Sequence, residues 1–427
     1  MKAVILAGGK GQRMGEAGRE TPKPMMEIGG VPVLEHQVRL LVSYGFTDLT
    51  IVTGHLSRQI EQHLKDGLEF GIPISYFVEK NPLGTTGALK EMEADLPEEF
   101  LVLYGDVMLD MDLLRMWRFH KLKNSACTLA VHPNNHPFDS DLVVMKRDGT
   151  VFDVLSKPHP EGLYYRNLVN AGAYVLSRKM LSFFNPGVAE DFARDVLPKM
   201  CAAAPVYAYL TPEYLKDIGT PDRLEEVRRD YVSGQLARMN RRFPRKAVFL
   251  DRDGVINPES GLLTTCEQFS LLPGAARGIK KLNDAGFLVI VVTNQPSVAK
   301  NFCSIDEVER THMKMETLLG RHGARLDAVY FCPHHPEAGH PGENAEYKIP
   351  CACRKPGTGM IEQACREFNI DMSSSYMVGD SDSDLLCGKK SGLRTFLVRS
   401  SRQVREEAEQ VFDNLLAAAD FIVGEQS

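Results

Sequence analysis

Nowhere in the 427 residues do about 20 apolar residues run together, and the apolar opening Val4-Ile5-Leu6-Ala7 is too short for a secretory leader. Membrane spanning and export are therefore not expected. The sequence also lacks an excess of either charge. Its net charge of -6 at pH 7 gives no ground for expecting nucleic acid, so anionic substrates require local basic pockets. A paired cysteine framework is missing too, because nine cysteines are an odd number scattered along a long chain. That usage excludes a disulfide scaffold, fits reduced thiols with one metal site, and makes the cytoplasm the expected compartment. Internal repeats and low-complexity tracts are absent, while 43% apolar and 25% charged residues are ordinary for a folded chain. At this length one hydrophobic core does not suffice, and two or three domains are expected.

What is present is an alternation of short β-branched runs with helix-period segments. Ala3 to Leu6 and Leu49 to Val52 read as strands, with Val33 to Tyr44 and Ile60 to Leu64 as helices between and after them. Leu101 to Tyr104 continues the pattern before Gly105-Asp106, and several strands with fewer helices follow between Ala126 and Tyr174. Thr220-Pro221 starts a helix that runs into a basic stretch, Arg238 to Lys246, read as a solvated interdomain face rather than a polyanion site. A second α/β pattern then begins at Ala247, with strands at Phe287 to Val292, Leu326 to Phe331, Tyr376 to Val378 and Thr395 to Val398. The expected fold is α/β: two doubly wound, mainly parallel-sheet domains at 1–232 and 246–427, joined by a linker at 233–245.

In the first half, Gly8-Gly9-Lys10-Gly11-Gln12-Arg13 follows a strand directly, so backbone amides can approach a ligand while Lys10 and Arg13 add positive charge. Taken alone, this loop is equally well an ordinary tight turn. Its spacing matches neither the dinucleotide fingerprint nor the Walker loop. Lys23 supplies another cation, and Asp106 stands where a buried strand ends, the usual place for function in open sheets. Asp217 offers a further carboxylate, and two carboxylates can hold Mg²⁺ against a triphosphate, although each aspartate alone also suits a helix cap or turn.

Together with Leu6-Ala7, Pro22-Lys23-Pro24, Pro82-Leu83-Gly84-Thr85 and Asn170-Ala171-Gly172, these residues resemble the sugar-phosphate nucleotidyltransferases over roughly 1–230. The resemblance implies that Gly8, Gly9, Gly11 and Arg13 hold the triphosphate and that Leu83, Gly84 and Thr85 lie along base and ribose. It further implies that Asp106 and Asp217 bind Mg²⁺, Asn170 and Gly172 face the sugar, and Lys23 and Lys157 neutralise phosphates. Such chemistry needs no protein nucleophile, only positioning and electrostatics. The stretch Glu79 to Thr85 looks more like the guanylyltransferase branch than the thymidylyl branch, which makes GTP the expected nucleotide. Ser156 precedes Lys157 where many relatives carry Glu, which leaves the sugar open.

In the second half, Asp251-Arg252-Asp253-Gly254 closes a strand, and residues two apart in an extended segment project to one side. An acidic solvated turn is the plain alternative. In the functional reading Asp251 attacks phosphorus to form an acyl phosphate, Asp253 does general acid work, and Thr293 and Lys355 bind phosphoryl oxygens. Asp380 joins Asp251 and the Asp253 carbonyl around Mg²⁺, with Asn294 and Arg354 beside the substrate. This ordered set resembles the haloacid dehalogenase phosphatases over roughly 245–400. Cys332, His334, Cys351 and Cys353 make a Cys₃His set suited to tetrahedral zinc, the alternative being unconnected thiols. With that loop the resemblance narrows to the D-glycero-D-manno-heptose 1,7-bisphosphate phosphatases, with the histidinol-phosphate phosphatases second. Pro296-Ser297-Val298 departs from the Ser-Gly-Ile of the heptose group.

The expected partners are sugar phosphates and a nucleoside triphosphate, without nucleic acid or membrane, and a homo-oligomer stays open. The resemblances imply successive steps, a 7-phosphate removed and the remaining 1-phosphate activated. Two other readings stand beside this one: unrelated substrates for the two enzymes, and a nucleotide-sugar sensor regulating the phosphatase. The remaining cysteines, with His55 and His120, are expected to be structural.

Overall fold

A computed structural model describes residues 1–9, 12–54, 56–79, 81–337 and 342–425. Lys10, Gly11, His55 and Lys80 lie outside the described residues, so the expectation for Gly11 has no structural counterpart. The chain divides into two compact units. The first comprises Met1–His132, Ser140–Lys157 and Leu168–Asn240; the second comprises Pro133–Asp139, Pro158–Asn167 and Arg241–Ser427.

In the first unit the strand Lys2–Leu6 sits between Glu99–Tyr104 and Asp48–Thr53, parallel to both, and Ile74–Val78 extends the parallel side. Val169–Ser177 runs antiparallel to Glu99–Tyr104 and carries the sheet on to Leu142–Met145 and Val151–Leu155. The central strand is apolar throughout because both of its faces are covered. Ala3 and Ile5 enter one core with Leu34, Val38 and Leu41 of the helix Val33–Ser43, while Val4 enters the other with Leu89 and Phe100. A separate ribbon pairs Val107–Asp110 with Tyr214–Asp217. Thr220 caps the helix Pro221–Val232, accepting the Arg223 amide at 3.4 Å. The stretch 233–245, expected to be a linker, is folded: Gln235–Arg238 is helical, and buried Asn240 donates to Asp110 at 2.6 Å.

The second unit is built on six parallel strands in the order Ala328–Cys332, Leu288–Asn294, Ala247–Leu250, Tyr376–Gly379, Arg394–Val398, Gln410–Phe412. Val248 and Leu250 face one core and Ala247 and Phe249 the other, the period-two pattern of a strand covered on both sides. The two short segments from earlier in the chain pack within this unit. There the Asn167 amide donates to the buried Glu316 carboxylate at 2.6 Å, on the helix Ile305–Gly320. No helix among the described residues is long and apolar enough to cross a membrane.

Candidate active sites

The parallel strands of the first unit end in a cleft of about 390 Å³, lined by Gly8, Gly9, Arg13, Lys23, Glu79, Pro82, Gly84, Thr85, Tyr104 and Asp106 among others. Several of these follow or close a strand, while Arg13 and Lys23 are carried by the short 3-10 turns Gln12–Met14 and Lys23–Met25. The ammonium of Lys23 stands 3.2 Å from Asp106 Oδ2. Asp217 pairs in register with Val107, and the Ile218 amide donates to the Asp106 carbonyl at 2.9 Å, so the backbone brings the two aspartates side by side. Their carboxylates have different partners, since Arg223 grips both oxygens of Asp217 at 2.8 Å. Asp217, Leu83, Lys157, Asn170 and Gly172 stand outside the cleft lining. Lys157 is exposed and gives its backbone amide to Asp141. Gly172 reaches the cleft indirectly: its backbone has φ +70, and a side chain there would meet the Tyr104 ring at 2.9 Å.

Glu79 has no assigned role in the sequence reading. It follows the strand Ile74–Val78, accepts the Leu83 amide at 3.4 Å, and lies so close to Gly8 that a methyl group there would meet its Oε2 at 2.3 Å. Burial pushes its carboxyl up, offset in part by the Leu83 amide. A second carboxylate beside Asp106, in a cleft that also holds Arg13 and Lys23, is the signal that sequence alone underweights.

In the second unit, Asp251, Thr293 and Asp380 stand at the ends of adjacent strands, and Lys355 reaches into the same mouth. Lys355 Nζ lies 2.8 Å from Asp251 Oδ1 and 2.5 Å from Asp384 Oδ1. Oxygens of Asp251, Asp380 and Asp384 all fall within 4.8 Å of one another, and all three residues are buried. Lys355 pairs with Asp251 and Asp384, and Arg402 Nε stands 3.5 Å from Asp380 Oδ2, so two cations face three carboxylates. Burial, then the neighbouring Asp384, pushes Asp251 up despite Lys355, and burial likewise pushes Asp380 up to about 6. Excess negative charge on hard oxygen donors fits a divalent cation such as Mg²⁺. Asp384, which the sequence reading left without a role, completes the set. Gly254 makes room for it: its φ is +81, and a side chain would sit 2.0 Å from Asp380 Oδ2.

Asp253 is turned away from that carboxylate cluster. It accepts from Arg252 at 2.8 and 3.0 Å, from Asn257 at 2.9 Å and from Gln295 at 2.8 Å. Burial works against its charge, but these donors outweigh burial and hold the carboxyl below its usual range. Thr293 is fully buried, and its hydroxyl accepts from Gln295 at 3.0 Å. Asn294 and Lys355 exchange two hydrogen bonds, the Lys355 amide to Asn294 Oδ1 and Asn294 Nδ2 to the Lys355 carbonyl, both 3.0 Å.

The Cys₃His set converges: Cys353 Sγ lies 3.2 Å from the sulfurs of Cys332 and Cys351 and 3.5 Å from His334 Nδ1. Zinc–thiolate bonds near 2.3 Å in a tetrahedron separate ligands by about 3.8 Å, so these four atoms fit one zinc ion. Arg354 Nη1 donates to the His334 carbonyl at 3.3 Å, which ties the loop to the residue preceding Lys355. Among the other cysteines Cys127, Cys266 and Cys387 are buried and Cys201, Cys303 and Cys365 half-buried, all with free thiols. His120 is buried against Thr128 at 2.9 Å.

The nucleotidyl transferase family model matches residues 2–234 and a HAD-hydrolase-like model matches 352–423. The D-glycero-β-D-manno-heptose-1,7-bisphosphate 7-phosphatase of Haemophilus ducreyi is 38% identical over 174 residues, covering 40% of this chain and 93% of that protein. The D-glycero-D-manno-heptose-1,7-bisphosphate 7-phosphatase of Thermosynechococcus vestitus is 38% identical over 191 residues, covering 42% of this chain and 96% of that one. A crystal structure of HddC from Yersinia pseudotuberculosis aligns with 25% identity and a TM-score of 0.48, over 54% of this chain and 99% of that one. The chain belongs to the nucleotidyl transferase family through its first half and, through its second, is a HAD-like homologue of the heptose-1,7-bisphosphate 7-phosphatases.

Proposed function

We propose that this bifunctional enzyme makes a nucleotide-activated heptose. Its second half removes the 7-phosphate of D-glycero-D-manno-heptose 1,7-bisphosphate. Its first half transfers GMP from GTP to the resulting 1-phosphate, releasing pyrophosphate. The observation that carries the reading is the covalent union of a heptose-bisphosphatase homologue with a nucleotidyl transferase whose cleft pairs Lys23 with Asp106.

In the second half Asp251 is the nucleophile. Lys355 favours its ionised form and, with Thr293, receives the phosphoryl oxygens. Asp253, held in its ring of donors, gives a proton to the heptose oxygen as the P–O bond breaks and recovers one from the water that opens the acyl phosphate. Asp380 and Asp384 would hold Mg²⁺ with Asp251; when bound, the ion neutralises charge building on the transferring group. Zinc on Cys332, His334, Cys351 and Cys353 would fix the loop that carries Lys355.

In the first half Gly8, Gly9 and Arg13 would cradle the triphosphate, Lys23 would offset the leaving pyrophosphate, and Asp106 with Asp217 would hold the metal. Support for guanine comes from Glu79. A carboxylate accepts two parallel hydrogen bonds, which matches the adjacent N1–H and N2–H₂ donors of guanine. Thymine and uracil offer one donor flanked by carbonyl oxygens, which a carboxylate repels.

The test is direct. Incubation of the intact protein with heptose 1,7-bisphosphate, GTP and Mg²⁺ is expected to yield phosphate, pyrophosphate and GDP-heptose by mass spectrometry. Phosphate release without nucleotide sugar would reduce the reading to the phosphatase, and preferential hydrolysis of histidinol phosphate would replace its substrate.

A further inference from the structure

Behind the first cleft lies a chain of hydroxyl groups in otherwise apolar surroundings. Asn170 Nδ2 donates to the Tyr174 hydroxyl at 2.7 Å, and Tyr174 donates to the Tyr104 hydroxyl at 3.3 Å. The phenol rings of Tyr104 and Tyr174 are 5.5 Å apart, and Phe192 packs edge-on against Tyr174 at 4.6 Å. Tyr174 is 1% exposed, whereas Tyr104 lines the cleft together with Thr85.

Counting protons gives the network a direction. Tyr174 spends its proton on Tyr104 while accepting from Asn170. The Tyr104 oxygen thus accepts from Tyr174 and keeps its own proton for another partner. A phenol carries one proton of its own, and here that proton is directed at the cleft.

We infer that Tyr104 is a binding residue of the nucleotidyl transferase site, donating its hydroxyl proton to an oxygen of the sugar 1-phosphate, with Tyr174 as the residue that positions it. The inference rests on the sugar assignment made above for Asn170 and Gly172. Tyr104 joins that side of the site twice over: its ring closes on Gly172, and its hydroxyl reaches Asn170 through Tyr174.

Calorimetric titration of the full chain with D-glycero-D-manno-heptose 1-phosphate, and separately with Mg-GTP, tests this. Tyr104→Phe is expected to weaken heptose 1-phosphate roughly 10-fold, the loss of one hydrogen bond to a charged ligand, while Mg-GTP changes less than about twofold. Tyr174→Phe, which only releases the orientation, is expected to cost about threefold for the sugar phosphate alone. Retained Mg-GTP binding serves as the check on folding. Unchanged sugar-phosphate affinity in Tyr104→Phe, or equal weakening of both ligands, overturns the inference. A wild-type chain that binds Mg-GTP but no heptose 1-phosphate overturns the sugar assignment beneath it.

Discussion

The ammonium of Lys355 stands 2.8 Å from Asp251, with both side chains almost fully removed from water. Asp384 closes on the same nitrogen, so one cation is shared among more carboxylates than it can neutralise. Breaking a buried pair of this kind is costly, on the order of 3 kcal/mol, because the partner left behind has no solvent to turn to. Lys355→Met is therefore expected to lower the unfolding free energy of the second unit by about that amount. Phosphate release should fall about 10³-fold or more, while nucleotidyl transfer to supplied heptose 1-phosphate continues. Chemical denaturation and the two product assays check both halves.

Stability against pH follows from the same cluster. Asp251 and Asp380 have folded-state pKa values above their ordinary value of 3.8, the latter about 6, so the folded chain holds protons that the unfolded chain has released. Without added metal, their contribution makes stability fall as pH rises from about 4 to 7. Saturating Mg²⁺ favours the ionised forms and should flatten that slope. Denaturation midpoints of wild type and Asp251→Asn, each with Mg²⁺ and with chelator, isolate the effect. A slope identical in both proteins would remove Asp251 as its source.

Base choice makes a sharper test in the first unit. Replacing Glu79 by Gln turns one of two acceptors into a donor, which no longer suits guanine but matches xanthine, whose C2 carries an oxygen beside N1–H. Glu79→Gln is expected to raise KM for GTP at least about 10-fold and to lower it for xanthosine triphosphate. Inosine triphosphate, lacking the N2 amine, should be a poorer substrate than GTP for the wild type alone.

Elemental analysis should find one zinc per chain, lost in Cys351→Ser. Because Cys353 is two residues from Lys355, zinc loss is expected to depress phosphate release and lower the melting temperature of the second unit, leaving pyrophosphate release intact.

Several of the side chains that the structure brings together are legible because function in parallel sheets gathers at strand ends, and apolar runs announce those ends. Asp106, Asp251 and Asp380 each follow such a run. Asp384 escapes this logic. It lies inside the helix Asp382–Lys390, where its side chain completes a capping box with Ser381, and that local role is sufficient to account for it. Glu79 and Tyr174 escape for a different reason, since a charged residue after a strand or a tyrosine within one is ordinary until distant neighbours are known. The ribbon of Val107–Asp110 with Tyr214–Asp217 joins residues a hundred positions apart, and Gln410–Phe412 is too short to display a period. Nor does any local pattern reveal that 133–139 and 158–167 pack with the second unit.

The reciprocal amide pair between Asn294 and Lys355 ties a strand end to the cysteine-bearing loop. If the proposed function and zinc site hold, a cell starved of zinc would keep nucleotidyl transfer onto ready-made heptose 1-phosphate while its bisphosphate precursor accumulates. Trace-metal supply would then set which half of the polypeptide limits flux.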